Sequence, residues 1–371
     1  MPKPSPEPQR GALPFAGTGL PPMLARTLDA LPEGAPGDWL FEPKWDGFRA
    51  VALRDGQGVV LQSRDLKPLN RYFPELESAL ETLLPAGCAL DGEIVIAGPA
   101  GLDFDALLQR IHPAASRVRR LASETPASFV AFDLVALDGE DLRARPQAER
   151  RLLLQALLAD SPPPLYLTPM TLDPALAQAW HARFEGAGLD GVMAKAADAP
   201  YQPGERAMFK IKHVRTADCV VGGLRWRAGA REPEVASLLL GLHDARGVLQ
   251  HVGSASGFTQ EFRRELGVLF SPMVLPAEAS HPWLGAGPSG QRRPGAPSRW
   301  SRAKDLAWVP VEPARVCEVR YDHLQGDRFR HVTRFERWRP DKPAAQCGYD
   351  QLAVTPPYEL HRVFGEPSSA R

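Results

Sequence analysis

Four short stretches gather side chains that could do chemistry. In Phe41-Glu42-Pro43-Lys44-Trp45-Asp46-Gly47-Phe48-Arg49 a lysine stands between an apolar run and a glycine turn. Desolvation there would lower the pKa of the lysine and make its amine a nucleophile, and Gly47 would let the backbone approach a ligand closely. Alone, the stretch equally describes a surface lysine before an ordinary Asp-Gly turn. In Leu90-Asp91-Gly92-Glu93-Ile94-Val95-Ile96 two carboxylates lie two residues apart, on one face of a strand. They could hold a hard cation or a ribose hydroxyl, or be solvated acids beside a hairpin. The third stretch runs Gly188-Leu189-Asp190-Gly191-Val192-Met193-Ala194-Lys195, then Arg206, then Phe209-Lys210-Ile211-Lys212. Two ammoniums side by side on a strand repel unless an anion or solvent intervenes; a phosphate would be that anion, and a solvated edge strand is the plain alternative. The fourth threads Arg328, Arg330, Arg334, Arg337, Arg339 and Lys342 with Phe329, Phe335 and Trp338. This suits a nucleic-acid backbone or polyphosphate, and also the outer face of a barrel strand.

The elements that must position these groups change character once along the chain. Strand-like runs begin at DWLF, FRAVALRD and GVVLQS and continue through CALDGEIVIA, ASFVAFDLVAL, GVMAKA and MFKIKHV. Helical spacing marks PELESALETLL, RPQAERRLLLQALLA and PALAQAWHARFEGAG, the last closed by Gly188. The mixture is α+β rather than a strict βαβ alternation. After Ala217 come five short strand-like runs and one helical stretch, TQEFRRELGVL, which suit a small Greek-key barrel such as the OB-fold.

The chain has 371 residues, with 44 Lys+Arg against 44 Asp+Glu, a length that suggests two or three domains. The balance hides a dipolar layout: residues 1–217 hold 23 basic and 27 acidic side chains, and residues 218–371 hold 21 and 17. Between His281 and Lys304 a Pro/Gly/Ser-rich loop carries Arg292, Arg293, Arg299, Arg302 and Lys304 with no acid. Residues 1–20 read as a mobile Pro-rich tail. No apolar run approaches a membrane span, no signal-peptide plan opens the chain, and the four cysteines form no CxxC pair. A cytoplasmic protein without membrane attachment or zinc is expected. Neither a P-loop nor a G-x-G-x-x-G fingerprint occurs.

In order, Lys44-Trp45-Asp46-Gly47, Asp91-Gly92-Glu93, Phe132-Asp133-Leu134, Asp190 to Lys195, Lys210-Ile211-Lys212 and Arg339-Pro340-Asp341-Lys342 resemble the motif series of covalent nucleotidyltransferases. That superfamily comprises ATP-dependent DNA ligases, RNA ligases and mRNA capping enzymes. The resemblance spans roughly Pro21 to Asp350. FEPKWDGFRA, SRDLKPLNRYFPEL, GLDGVMAK, KHVRTADCVVGG, SRWSRAKDLAW and YDHLQGDRFRHVTRFERWRPD are similar to the small bacterial stand-alone DNA ligases called ligase C. They are similar, less closely, to the ligase domain of the end-joining ligase D.

The resemblance implies a nucleotidyltransferase (adenylation) domain over 21–216 and an OB-fold β-barrel domain over 217–371; because Arg339 and Lys342 would then have to swing in for adenylation and out for sealing, a hinge near His213–Ala217 is expected. It implies ATP, Mg²⁺ or Mn²⁺, and nicked double-stranded DNA met by a monomer, in DNA repair. Lys44 would carry AMP as a phosphoramidate, pass it to a 5′-phosphate, and a 3′-hydroxyl would then seal the strand. Glu42 falls where the family meets adenine through backbone, Arg49 near ribose and phosphate, and Arg64 on the 5′-phosphate side of the nick. Glu93 matches the acid on ribose and metal, Phe132 the aromatic stacked on adenine, and Asp190 the fourth motif's acid, a second metal contact. Lys210 and Lys212 match the grip on the α-phosphate, with Lys195 and Arg206 also expected at the nucleotide. Arg339, Asp341 and Lys342 match the OB-domain motif that orients pyrophosphate. An RNA ligase or capping-type enzyme is the nearest alternative. An inactive nucleic-acid-binding module would be expected to lack Lys44, Lys210 or Lys212, and all three are present.

Overall fold

The computed structural model describes residues 12–15, 17, 19–99, 101–213, 215–276, 278–285, 288–295, 307–322, 324–352 and 359–364. The chain separates into two compact units, Met1–His213 with Thr355–Arg371, and Val214–Val354. The first is built on β1 (Leu24–Leu28), β2 (Trp39–Pro43), β3 (Phe48–Asp55), β4 (Gly58–Ser63), β5 (Cys88–Val95), β6 (Ser128–Leu137), β7 (Leu165–Leu167), β8 (Gly191–Ala196) and β9 (Arg206–Lys212). Its helices are α1 (Pro74–Leu83), α2 (Phe104–Gln109), α3 (Ala115–Glu124), α4 (Gln147–Leu158) and α5 (Pro174–Arg183). One sheet has the order β1-β9-β8-β2 and the other β7-β6-β5-β3-β4. Both are mixed: β1 with β9 and β7 with β6 are parallel pairs, and the remaining neighbours run antiparallel.

Local sequence explains these elements. β5 and β6 lie inside the second sheet, nearly all their residues are buried, and they read as almost continuous apolar runs. Pro74 opens α1 with Glu75 and Glu77 in its first turn, where a fixed φ and negative charge are favourable. Leu76 and Leu80, one turn apart, are buried beside Leu154 and Leu158 of α4 in the core of the second sheet. Asp173 caps α5 by accepting the Ala175 N–H at 2.8 Å. Trp180 of α5 is buried against Phe41, Val192, Ala194 and Ile211 of the first sheet. The helix expected over 174–188 stops at Arg183 and tightens into a 3₁₀ turn, Phe184–Ala187, before Gly188 at φ 83°. Sequence patterning passed over β1 and β7 because β1 is largely exposed or half-buried and β7 has only three residues.

The expected tail over 1–20 is only partly a tail. Residues 1–11 lie outside the described residues, but Leu13, Phe15 and Leu20 are buried with Met23, Val51, Val135 and Met208. Gln62 fixes Leu20 twice, accepting its N–H at 2.9 Å and donating to its carbonyl at 2.6 Å. A few apolar side chains suffice here because they fill an existing groove.

The second unit comprises β10 (Arg215–Trp226), β11 (Val235–His243), β12 (Leu249–Ala255), α6 (Gln260–Phe270), β13 (Val316–Tyr321) and β14 (Arg334–Trp338), in the sheet order β12-β11-β10-β13-β14. A parallel bridge between Ala255 and Thr333 joins the two outer strands, with the Thr333 N–H donating to the Ser254 carbonyl at 2.9 Å. This closes an OB-fold barrel with α6 between its third and fourth strands. RFRHVTRFERWR is not one strand: it splits into Arg328–Phe329 and β14, and Thr333 in the break makes the closing contact. The expected division at 216/217 falls inside β10. The last described helix, α7 (Leu360–Phe364), groups with the first unit rather than the barrel, since Val363 and Phe364 pack on that unit's core. No helix among the described residues is long and apolar enough to cross a membrane.

One buried ion pair ties α4 to β6. Arg150 is fully buried; it donates to Asp133 through Nε at 2.9 Å and Nη2 at 3.1 Å, and to Gln147 at 2.7 Å. Asp133, within a stretch matched to a nucleotide motif, thus works as a structural acceptor. Because Asp133→Ala would strand a buried guanidinium, it should lower the unfolding free energy by about 3–5 kcal/mol in chemical denaturation. An unchanged midpoint would refute that assignment.

Candidate active site

β2, β8 and β9 end beside one another, and their ends carry the lysines. Pairing continues past Pro43: the Lys44 N–H donates to the Gly191 carbonyl, and the Asp190 N–H to the Lys44 carbonyl, both at 2.9 Å. Gly191 has φ 133°, and a Cβ there would run into the Ile211 carbonyl, so only glycine lets the strands close at this point. The result places the Lys44 ammonium on Asp190 Oδ2 in a short contact, with the Lys212 ammonium on the same oxygen at 3.1 Å. Burial, then the charges of Lys212 and Lys44, hold the Lys210 pKa below the ordinary lysine value.

Lys44 and Lys210 border a cavity of about 220 Å³ between the two sheets. Lys44, Glu42, Lys195, Arg206 and Lys210 line it from the first sheet, and Arg49, Glu93 and Phe132 from the second. Arg64, exposed, also lines it, as do Met193 and Met208, whose apolar contribution gave no signal in the sequence. Phe132 lies under the Arg49 guanidinium, 4.3 Å from ring centroid to Cζ. Arg49 is held by Asp91 through two hydrogen bonds of 2.6 Å, and the Tyr201 hydroxyl donates to Asp91 at 2.6 Å. Burial first, then Asp91, drives the Tyr201 pKa well up, which keeps that hydroxyl a donor. Asp91 is thereby taken up as the anchor of Arg49.

Glu42 is buried, with its carboxylate between Lys195 at 2.8 Å and Arg151 at 3.5 Å. Lys195 also donates to the Phe132 carbonyl at 2.8 Å, so its ammonium braces the aromatic's backbone. Arg206 is exposed and donates to the Ala25 carbonyl at 2.9 Å. Glu93 accepts the Gly47 N–H at 3.1 Å, and a Cβ on Gly47 would strike the Ile94 carbonyl. Burial pushes the Glu93 pKa up to about 7, against the weaker downward pull of Arg49 and Lys44.

Arg339, Asp341 and Lys342 belong to the second unit and gather around a residue that the sequence reading missed. Asp218, near the start of β10, accepts from Arg339 Nη1 at 3.0 and 2.9 Å and from Lys342 at 2.9 Å. Asp341 pairs with the other edge of Arg339, at 2.7 Å from Nη2, and this bond holds its pKa low, at about 2. Gln351 fixes the Asp218 backbone, accepting its N–H at 2.7 Å and donating to its carbonyl at 3.1 Å. In the basic loop, Arg292 is spent on Asp327 and on the Tyr349 hydroxyl at 2.9 Å, and residues 296–306 lie outside the described residues.

Lysines around a cleft with an aromatic wall, in a two-sheet domain followed by an OB-fold barrel, define a nucleotidyltransferase. Residues 22–212 match the family described as ATP dependent DNA ligase domain, and residues 231–342 the ATP dependent DNA ligase C terminal region. The chain belongs to the ATP-dependent DNA ligase family. It is 50% identical over 338 residues to DNA ligase C of Mycobacterium tuberculosis, covering 89% of this chain and 93% of that protein. To DNA ligase C2 of Mycolicibacterium smegmatis it is 49% identical over 340 residues, covering 90% and 94%. A solved structure of a Lig E DNA ligase shares the fold, at a TM-score of 0.54 and 17% identity, covering 86% of this chain and 99% of that one.

The Glu93 carboxyl generates a pH signature. Its folded pKa lies above the unfolded value, so the folded state binds the extra proton and stability falls as pH rises from about 4.5 to about 7, then levels. The span is on the order of 3 kcal/mol. Glu93→Gln should flatten this part of a stability-versus-pH curve measured by denaturant titration; an identical slope in both proteins would contradict the burial argument.

Proposed function

We propose that the chain seals nicks in double-stranded DNA at the expense of ATP, through a lysyl-AMP intermediate on Lys44 and an adenylated 5′ end. The observation that carries the reading is the Lys44 amine, aimed by Asp190 and accompanied by Lys210 and Lys212 at a cavity that contains Phe132. In the first step the Lys44 ammonium gives one proton to solvent, the neutral nitrogen attacks the α-phosphorus of ATP, a P–N bond forms, the α–β bridging P–O bond breaks, pyrophosphate leaves, and a second proton passes from the nitrogen to solvent. The 5′-phosphate oxygen of the nick then displaces Lys44 from AMP, and the 3′-hydroxyl displaces AMP from the 5′-phosphate. Such transfers depend on positioning and charge neutralisation rather than on further covalent help.

The residue roles are those the family resemblance implies, and the geometry is compatible with them. Phe132 gives the adenine a stacking surface, Met193 and Met208 add apolar wall, and the backbone at Glu42 meets the base edge. Glu42 itself stays on Lys195 and Arg151, so its part is to hold the wall together. Arg49 serves ribose and phosphate, Lys210 and Lys212 the α-phosphate oxygens, and Arg64 and Arg206 the rim toward DNA. Glu93 fits Mg²⁺ or Mn²⁺: it is a hard donor whose buried charge has a single backbone donor from Gly47 and a raised pKa. Among the described residues no group of three or more His, Cys, Asp or Glu could hold a metal. When bound, the ion would neutralise phosphate charge. Asp190, here held by Lys44 and Lys212, would be the other oxygen donor available to such an ion. Arg339 and Lys342 orient the pyrophosphate, which requires the barrel to approach the nucleotide for the first step. A monomer in the bacterial cytoplasm, with nicked DNA as its macromolecular partner and repair as its setting, completes the proposal.

Intact-mass measurement before and after ATP with Mg²⁺ should show a gain of one AMP, mapped to Lys44 and abolished in Lys44→Ala. An adduct on another residue would overturn the assignment. Asp218→Asn weakens a charge-assisted hold on Arg339 and Lys342, so lysyl-AMP formation should slow roughly ten- to hundredfold. Wild-type adenylation kinetics in that variant would remove Asp218 from the first step.

A further inference from the structure

Behind the nucleophile stands an element that follows the barrel in sequence. Helix α7 groups with the first unit, and Val363 is fully buried in the apolar cluster that holds Trp45, Val95 and Phe132. The Phe364 ring is stacked on two others: Trp45, with centroids 5.2 Å apart and planes at 22°, and Tyr166, at 4.6 Å and 28°. Trp45 directly follows Lys44 and lines the cavity. Its indole N–H donates to Thr168 Oγ1 at 2.8 Å, so a hydroxyl fixes one edge of the indole while the Phe364 stack fixes its plane.

That fixation bears on Lys44 because Trp45 is the next residue in the turn. The Lys44 N–H and carbonyl are held by Gly191 and Asp190, and the Gly47 N–H, three residues on, by Glu93 at 3.1 Å. Between them, Trp45 is the buried residue. A five-residue helix is not stable alone, and aromatic stacks add about 0.5–1.5 kcal/mol each beyond burial, so the two rings under Phe364 anchor α7 as much as Phe364 braces them.

We propose that Phe364 is a positioning residue for Lys44: through Trp45 it keeps the amine in register with the α-phosphate. The inference rests on Lys44 being the adenylated residue and adds to that reading the element that aims it.

The test compares the full-length wild-type chain with Phe364→Ala, Phe364→Leu and Phe364→Tyr. Three quantities are measured: the single-turnover rate of lysyl-AMP formation as a function of ATP, the sealing of a nick already carrying 5′-AMP, and the melting temperature. Sealing of the pre-adenylated nick uses the same cavity but not the Lys44 amine. Phe364→Leu, which keeps apolar burial but loses the ring, should cut the maximal adenylation rate about tenfold, with a smaller change in the half-saturating ATP concentration. Sealing of the pre-adenylated nick should stay within about twofold, and Phe364→Tyr should restore adenylation to within about twofold. Phe364→Ala should act in the same direction as Phe364→Leu; if it fails to fold, the leucine variant decides. Unchanged adenylation in Phe364→Leu, or adenylation and sealing falling in parallel with the melting temperature, would overturn the proposal. Failure of the wild-type chain to form any Lys44 adduct would instead defeat the functional reading on which it rests.

Discussion

The site depends on one carboxylate shared by two ammoniums. Asp190 Oδ2 meets both Lys44 and Lys212, and these three residues come from the neighbouring ends of β2, β8 and β9. Lysines brought this close repel one another, and burial first, then the charges of Lys212 and Lys44, hold the Lys210 pKa below the ordinary lysine value. Asp190 supplies one negative charge to the two ammoniums it meets, and Lys44 and Lys210 also line a cavity between two sheets, where a phosphate would give them a further partner. The first sheet can therefore be understood as the frame that brings three strand ends together, with Gly191 allowing the last close approach.

The cavity walls are held by the same means, more deeply buried. Arg49 is fixed on Asp91, with Tyr201 on the same carboxylate, and Glu42 sits between Lys195 and Arg151. Buried ion pairs of this kind are weak evidence for stability, since desolvation offsets much of their attraction. What they supply here is geometry: Arg49 covers one position over Phe132, and Lys195 grips the Phe132 carbonyl. An aromatic fixed by one cation over its ring and another on its carbonyl is a defined platform, not a greasy patch. Glu93 is the exception, with one backbone donor and a raised pKa, and so it is the carboxylate in the wall with most to gain from a cation.

How much of this was legible in the sequence follows from the range over which each cue acts. Strand alternation and helical spacing are local, so β2 to β6, β8, β9, α1, α4 and α5 could be read from the chain. The order of the short motifs then led to Lys44, Glu93, Phe132, Lys210 and Lys212, all of which the fold brings to one cavity or its lysine end. What escaped depends on partners distant in sequence. Asp91 looked like a twin of Glu93 because both face one way on a strand, and only the fold shows Arg49 and Tyr201 claiming it. Leu13, Phe15 and Leu20 sit in a Pro/Gly-rich stretch whose composition conceals that three apolar side chains find a groove. Phe364 is a lone aromatic in a short helix, and nothing local connects it to Trp45.

Asp218 repeats in the barrel the device found at Asp190: one aspartate holding two cations, here Arg339 and Lys342. The parallel has a physical reason. A cation left free on a surface loses side-chain entropy when it binds, whereas one already held by a carboxylate has spent that entropy before the ligand arrives. A single carboxylate is also a replaceable partner, because a phosphate offers more charge and more acceptor oxygens to the same guanidinium. Each pair is thus prearranged without being fully neutralised. In the barrel, Asp341 adds a second acid on the exposed edge of Arg339, which fixes the guanidinium plane and leaves Lys342, whose ammonium among the described residues is bonded to Asp218 alone, as the cation more easily exchanged. The two units therefore meet the same electrostatic difficulty with the same solution, and the nucleotide chemistry proposed for them consists of trading those aspartates for phosphate oxygens in turn.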